Sequence, residues 1–272
     1  MPGQSPLDMT VHCLPGVSVF GIYLYGIFYL KNHIDDCLQA LVAIIGPAGT
    51  GKSYLFEAVD VYCTQKGFSV TKLATTGVSA YLIEGQTVHS FLRMDVECQS
   101  YLEPGMIEYD KVLNSDVIII DEFSMLELKV LLAVEKELRK IAVGENHRKL
   151  FGGRHVILAG DPCQLPAIEK DIFGSSLWYK FDILLLKDVM RQKDHQLLSV
   201  LNDVRYGHIS DASEKILQSR MISQADVAKL DPTDPDCTIV VSTRKERDHW
   251  NIIHQIFTHL RPAHRTHSGE KQ

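Results

Sequence analysis

Short apolar runs recur along the chain, each closed by glycine or polar residues: Leu41 to Ile45, Val117 to Ile120, Val156 to Ala159, Ile183 to Leu186 and Thr238 to Val241. Runs this short and this continuously apolar predict strands buried on both faces, as in a parallel sheet. Between them the hydrophobic period lengthens. From Met125 to Ala142, the residues Leu131, Val134, Leu138 and Ile141 fall on one helical face, and Glu135 stands four positions before Arg139, where the two can pair. A second helix-forming run, Tyr54 to Lys66, follows the first strand. Alternating strand and helix predicts an α/β fold, a doubly wound parallel sheet with helices on both faces.

The pattern changes near Lys187, where the last strand of the sheet ends and a polar, helical segment begins. The chain therefore reads as a helical lead-in over residues 1–40, a first domain over 41–186, and a shorter second domain over 187–272 with a disordered tail. Asp231 to Asp236 (DPTDPD) predicts a turn. The apolar run Val17 to Leu30 falls short of the roughly 20 residues that span a bilayer, and no Lys or Arg precedes it. It predicts a buried helix at the edge of the fold.

Composition narrows this further. A formal net charge of -6 over 272 residues argues against a protein that coats nucleic acid with an overall basic surface, while leaving room for a narrow positive channel. The six cysteines are far apart and show no CxxC pairing, which predicts reduced intracellular thiols. In the tail only Cys237 precedes His259, His264 and His267, so a structural zinc site lacks its fourth ligand at finger spacing.

The strongest chemistry lies after the first strand. Gly46-Pro47-Ala48-Gly49-Thr50-Gly51-Lys52-Ser53 fits GxxxxGK[ST], with an apolar strand entering and a helix-forming run leaving from Tyr54. Glycines let backbone N–H groups close around a polyphosphate, and the helix N-terminus adds its positive end. In this reading Lys52 reaches the β and γ phosphates of ATP, and Ser53 offers a hydroxyl to Mg²⁺. Val117 to Ile120 runs into Asp121-Glu122. Asp121, expected on the neighbouring strand, completes the metal's shell, and Glu122 accepts a proton from the attacking water or orients it. After a further strand comes Gly160-Asp161-Pro162-Cys163-Gln164, whose amide at Gln164 is placed to sense the γ-phosphate or position water.

GPAGTGKS, IIIDEFSM and GDPCQLPA, in that order, resemble the first motifs of the PIF-type (petite integration frequency) DNA helicases, a superfamily 1B group related to RecD-like motors. Ala74 to Ala80 (ATTGVSA), Thr87 to Phe91 (TVHSF), Val189 to Gln192 (VMRQ) and Leu201 to Gly207 (LNDVRYG) resemble its later segments, so the likeness runs from about Leu41 to Asn251. The resemblance implies a RecA-like P-loop domain followed by an incomplete second one. It implies a motor moving 5′ to 3′ on single-stranded DNA and serving repair, recombination and telomere maintenance, in the nucleus or else the mitochondrion. It also implies that Arg191 reaches the γ-phosphate, and that Thr75, Thr76, Thr87, His89, Ser90 and Phe91 face DNA. The residues themselves leave Phe91 and His89 equally open to core packing.

The pattern also departs from that family. Thr238 to Arg244 and the helix after it match only the opening of a second motor domain, and the later motifs are not found. Gln39 stands too near the strand to match the family's adenine-binding glutamine. A truncated relative that binds ATP or DNA without cycling, and a different P-loop NTPase or small-molecule kinase, remain the alternatives.

Overall fold

The computed structural model describes residues 11–13, 32, 38–227 and 238–260. Its centre is a seven-stranded sheet in which every pairing is parallel. The strands are β1 (Val11–Cys13), β2 (Leu41–Ile45), β3 (Val70–Ala74), β4 (Gln86–Thr87), β5 (Val117–Asp121), β6 (His155–Gly160) and β7 (Asp182–Leu185), in the order β1-β7-β2-β6-β5-β3-β4. The first unit also holds α1 (Lys52–Gln65), α2 (Gly77–Leu82), α3 (Val88–Phe91), α4 (Ile107–Leu113), α5 (Leu128–Ile141) and α6 (His195–Tyr206).

Side chains alternate across a strand, so one apolar run feeds two cores. Val42, Ile44, Ile119, Ile157 and Ala159 turn to one face, where Leu55, Phe56, Val59 and Cys63 of α1 cover them. Leu41, Ala43, Ile118, Ile120, Val156 and Leu158 turn to the other, beneath Leu131, Val134, Leu138 and Ile141 of α5. The predicted stripe on α5 is thus the buried one, and Arg139 Nε donates to Glu135 Oε1 at 2.8 Å along its outer side. Trp178 extends the second core, its ring centroid 5.6 Å from Phe123 and 5.1 Å from Phe173. Each such aromatic or aliphatic side chain, fully buried, contributes on the order of 1.5–3 kcal/mol.

Three strands went unforeseen. Val70 to Ala74 carries Thr71 and Lys72 and is only half-buried over its first three residues, so its apolar signal is broken. β4 is two residues long. Val11–Cys13, expected inside a helical lead-in, pairs with β7 instead. Val17 to Leu30, Asp231 to Asp236 and the tail from Arg261 lie outside the described residues.

The described residues divide into two compact units, one up to His208 and one from Ile209. The polar stretch after Lys187 stays with the first unit, where the backbone N–H groups of Met190 and Arg191 donate to Gly49 O at 2.8 and 3.3 Å. The second unit holds α7 (Asp211–Ser219), α8 (Gln224–Val227) and α9 (Arg244–Leu260). The strand expected at Thr238 to Val241 does not form. Backbone groups in such a run need an adjacent strand, and none pairs with it among the described residues, where Val240 stays 88% exposed.

Arg154 ties the second core together. Its buried guanidinium donates to Ser115 O at 2.9 Å, Leu138 O at 3.0 Å, Val112 O at 3.1 Å and Leu113 O at 3.2 Å. The Val112, Leu113 and Leu138 carbonyls lie in the last turns of α4 and α5, where helices leave acceptors unused, and Ser115 follows just after α4. Arg154→Ala is expected to lower unfolding stability by about 3 kcal/mol or more in urea titration, since it strands several buried acceptors at once. Arg154→Lys, lacking the planar fork, is expected to recover less than half of that loss.

Candidate nucleotide site

Parallel strands deliver their following loops to one edge, and here that edge carries the chemistry. Ile45 is level with Gly160, and Ala74 is level with Asp121. The sequence placed Asp121 on the strand next to the P-loop, but β6 lies between β2 and β5. The correction has a plain cause: the crossover from β2 passes over two positions before β3, which leaves room for β6 to insert later. Gly160 therefore adjoins the P-loop, and Gly46 N donates to its carbonyl at 3.1 Å.

The loop is shaped by what cannot fit. A Cβ on Gly46 would stand 2.8 Å from both Leu186 O and Thr50 Oγ1. Gly49 has a φ of +79°, and a Cβ there would meet Arg191 Cβ at 2.9 Å. Thr50 Oγ1 donates to Pro47 O at 2.9 Å and closes the turn. Gly51 precedes α1 with a φ of 90° and no side-chain cap, so the first-turn N–H groups of this 14-residue helix are offered to an anion.

Lys52 Nζ donates to Gly46 O at 2.8 Å and Pro47 O at 3.0 Å. Burial lowers the proton affinity of this ammonium, while Asp121, Asp161 and Glu122 work against that and Arg205 adds to it. Asp121 is buried, and its Oδ1 accepts from Glu122 N at 2.9 Å. Burial raises the Asp121 pKa above the ordinary carboxylate value; the Glu122 N–H and Lys52 oppose the rise. Glu122 is raised as well, first by burial and then by Asp121. Its backbone sits at φ 57, ψ 44, in the left-handed region that non-glycine residues enter at a cost. Thr75 Oγ1 donates to the Glu122 carbonyl at 3.3 Å.

Gln164 belongs to a turn closed on Asp161, whose carbonyl accepts from Gln164 N and whose Oδ1 accepts from Cys163 N, both at 2.9 Å. Lys52, Ser53, Asp121, Glu122, Gln164 and Arg191 all line one cavity of about 360 Å³, with Ala48, Gly49, Gly51 and Tyr54 on its loop side. The structure thus brings together every predicted catalytic and metal-binding side chain. Ser53 and Asp121 supply a hydroxyl and a carboxylate in that cavity, the hard oxygen donors that suit Mg²⁺ when phosphates and water complete its octahedron. Gln39 plays another part: its Nε2 donates to Leu150 O and Arg154 O at 2.6 and 2.8 Å, as a brace inside the fold.

The residues expected to face DNA separate. Thr76 caps α2, accepting from Ser79 N at 3.2 Å, and lines a larger groove of about 610 Å³ that shares Glu122 and Gln164 with the nucleotide cavity. Thr87 caps α3 by accepting from Ser90 N at 3.2 Å; His89 is half-buried and Ser90 exposed. Phe91 is corrected: at 2% exposure it packs in the core and has no face for a base, because α3 is a single turn that turns Val88 and Phe91 inward together. Two residues of the site were missed. Asp161 follows the buried strand β6 much as Asp121 closes β5, an acid at the end of an apolar run in both cases; Arg205, which pairs with Asp161, comes from α6.

The family model described as PIF1-like helicase matches residues 32–218. The ATP-dependent DNA helicase PIF1 of Emericella nidulans is 28% identical over 227 residues, covering 76% of this chain and 30% of its own length. The human protein of that name is 33% identical over 189 residues, covering 64% and 28%. The chain therefore spans under a third of these curated relatives. Among solved structures, Pif1 helicase from Candida albicans superposes with a TM-score of 0.64 at 23% identity, covering 88% of this chain and 55% of that one. Bacteroides Pif1 bound to ssDNA gives 0.59 at 23% identity, covering 75% and 54%. Likeness at that identity establishes the RecA-like P-loop fold.

A raised carboxylate contributes stability below its unfolded pKa and loses it as pH climbs through the folded one. Without nucleotide, the protein is thus expected to gain stability on acidification toward about pH 4 through Asp121. Asp121→Asn is expected to melt higher than the natural protein near neutral pH and to flatten that dependence. Thermal melts across the acidic range check both, and a lower melting point for the variant at neutral pH would contradict the burial argument.

Proposed function

Because this chain belongs to the PIF1-like helicase family, we propose that it binds Mg-ATP in the cavity between the P-loop and the ends of β5 and β6, and couples its hydrolysis to movement on single-stranded DNA. The observation that carries the reading is the convergence of Lys52, Ser53, Asp121, Glu122, Gln164 and Arg191 on one cavity. The relatives named above are ATP-dependent DNA helicases, and Bacteroides Pif1 has been solved bound to ssDNA. Movement 5′ to 3′, service in repair, recombination and telomere maintenance, and residence in the nucleus are proposed on the family resemblance.

The first-turn N–H groups of α1 and the glycine backbone receive the phosphates. Lys52 exchanges its two carbonyl acceptors for phosphate oxygens, which are stronger because they are charged. Ser53 and Asp121 would hold Mg²⁺, whose charge offsets that of the phosphates. Glu122, with a proton affinity raised by its surroundings, takes the proton of the attacking water, and Gln164 orients that water. Arg191, exposed at the mouth, reaches the γ-phosphate, where a fixed cation stabilises the charge of transfer. The Thr75 contact to the Glu122 carbonyl gives a DNA-side segment a direct hold on the general base. Thr76, Thr87 and Ser90 remain the proposed contacts to DNA phosphate, and His89 the proposed contact to an unpaired base.

Phosphate release with and without single-stranded DNA tests the reading. The protein is expected to turn over faster with DNA, and Lys52→Ala to lose at least about 100-fold of that rate. Glu122→Gln is expected to keep Mg-ATP affinity within a few fold in calorimetry while turnover drops by about 10²–10⁴. Binding without turnover in the natural protein would point to a non-cycling relative, and turnover indifferent to DNA but raised by a small acceptor would point to a kinase.

A further inference from the structure

One charged pair at the site has no part in the chemistry so far. Asp161 is 3% exposed, at the end of the strand between the P-loop and Asp121. One of its oxygens accepts from Cys163 N, and the other is held by Arg205 in the last turn of α6. Arg205 is itself mostly covered, and its Nε has no acceptor among the described residues, so its grip on the turn is the contact to Asp161.

The connectivity gives that contact its meaning. The stretch from Val189 to Tyr206 starts on the P-loop, where Gly49 O accepts from Met190 N and Arg191 N. It then enters α6, capped by Asp194, whose Oδ1 accepts from Gln196 N at 2.9 Å and Leu197 N at 3.1 Å. It ends on Asp161 through Arg205. Arg191 is itself part of the first anchor, and Gln164 lies in the turn built on the second. Both side chains line the nucleotide cavity. Val200 packs the middle of α6 inward, but without the second anchor the last turn of the helix would lose its ion pair to this edge, and the 161–164 turn would lose the side-chain partner that ties it to a helix.

Resting on the proposed ATP hydrolysis, we propose that Arg205 is a positioning residue for that reaction: paired with Asp161, it fastens the segment bearing Arg191 to the turn bearing Gln164. It does not touch the nucleotide. Both ends of the catalytic arrangement are set by one ion pair, buried enough to be weakly screened and geometrically exacting. Binding of ATP depends on the P-loop backbone and on Lys52, whose Nζ is held by the Gly46 and Pro47 carbonyls and on which Asp161 and Arg205 act in opposing senses.

Three variants of the full chain test this, Arg205→Gln, Arg205→Lys and Asp161→Asn, each measured for DNA-stimulated hydrolysis, melting point and amide exchange. Arg205→Gln is expected to lose about 10- to 100-fold in kcat with KM within about threefold, the signature of misplacement rather than lost affinity. Arg205→Lys, keeping the charge, is expected to recover most of the rate, and Asp161→Asn to match Arg205→Gln. Amide exchange in Arg205→Gln is expected to rise at least about tenfold in 161–166 and 195–206 while β2 and β5 stay protected. Unchanged kcat in a folded Arg205→Gln protein, KM rising in step with falling kcat, or Arg205→Lys no more active than Arg205→Gln would each overturn the proposal. If Arg205→Gln fails to fold, Arg205→Lys and Asp161→Asn decide by the same criteria. A natural protein inert toward ATP sinks the proposed function instead, and unchanged exchange at both segments then removes the clamp as well.

Discussion

The first turn of α1 ends in backbone donors that no side chain caps, and much of this molecule serves to keep that end open at the edge of a buried sheet. An uncapped helix terminus gives up stability that a Ser or Asp would otherwise supply. Here Gly51 holds the position, with Lys52, Asp121, Glu122 and Asp161 close enough to influence one another. Like charges and half-desolvated ones gather where the polyphosphate and cation of the proposed function would relieve them. The strained backbone of Glu122 belongs to the same economy: rigid β5 and the Thr75 contact hold it in a conformation it would not choose alone.

The fold absorbs these costs through two cores built from single strands. Alternate residues of β2, β5 and β6 face α1 or α5, so the loops that follow cannot slide without exposing one core or the other. Register along the sheet is thereby register at the site: the level of Ile45 with Gly160 and of Ala74 with Asp121 sets the positions of the side chains one residue on. Arg154, far from the site, supports the same arrangement by satisfying the helix ends that pack beneath it.

Much of this could be read from the residues because it is local. Continuous apolar runs marked β2, β5, β6 and β7, and the spacing of Gly46 to Ser53 marked the phosphate loop between a strand and a helix. The half-buried β3 carries polar residues and escaped notice, since periodicity reports burial rather than strandness. Strand order is a property of crossovers, which is why Asp121 was assigned to the wrong neighbour. Phe91 shows the limit of side-chain type: an aromatic after a histidine suits stacking on a base or packing in a core, and only the inward turn of α3 decides. Asp161 and Arg205 stand 44 residues apart in sequence, and no local pattern couples them.

A last consequence follows from the sheet's margin. β4 offers two residues of ladder, and the one-turn helix α3 begins at the next position. A foreign strand seeking to extend the sheet on that side would find only a couple of unpaired peptide groups before the chain curls away. The all-parallel architecture, prone in principle to edge-to-edge association, therefore carries at β4 a built-in guard against clumping with its own kind.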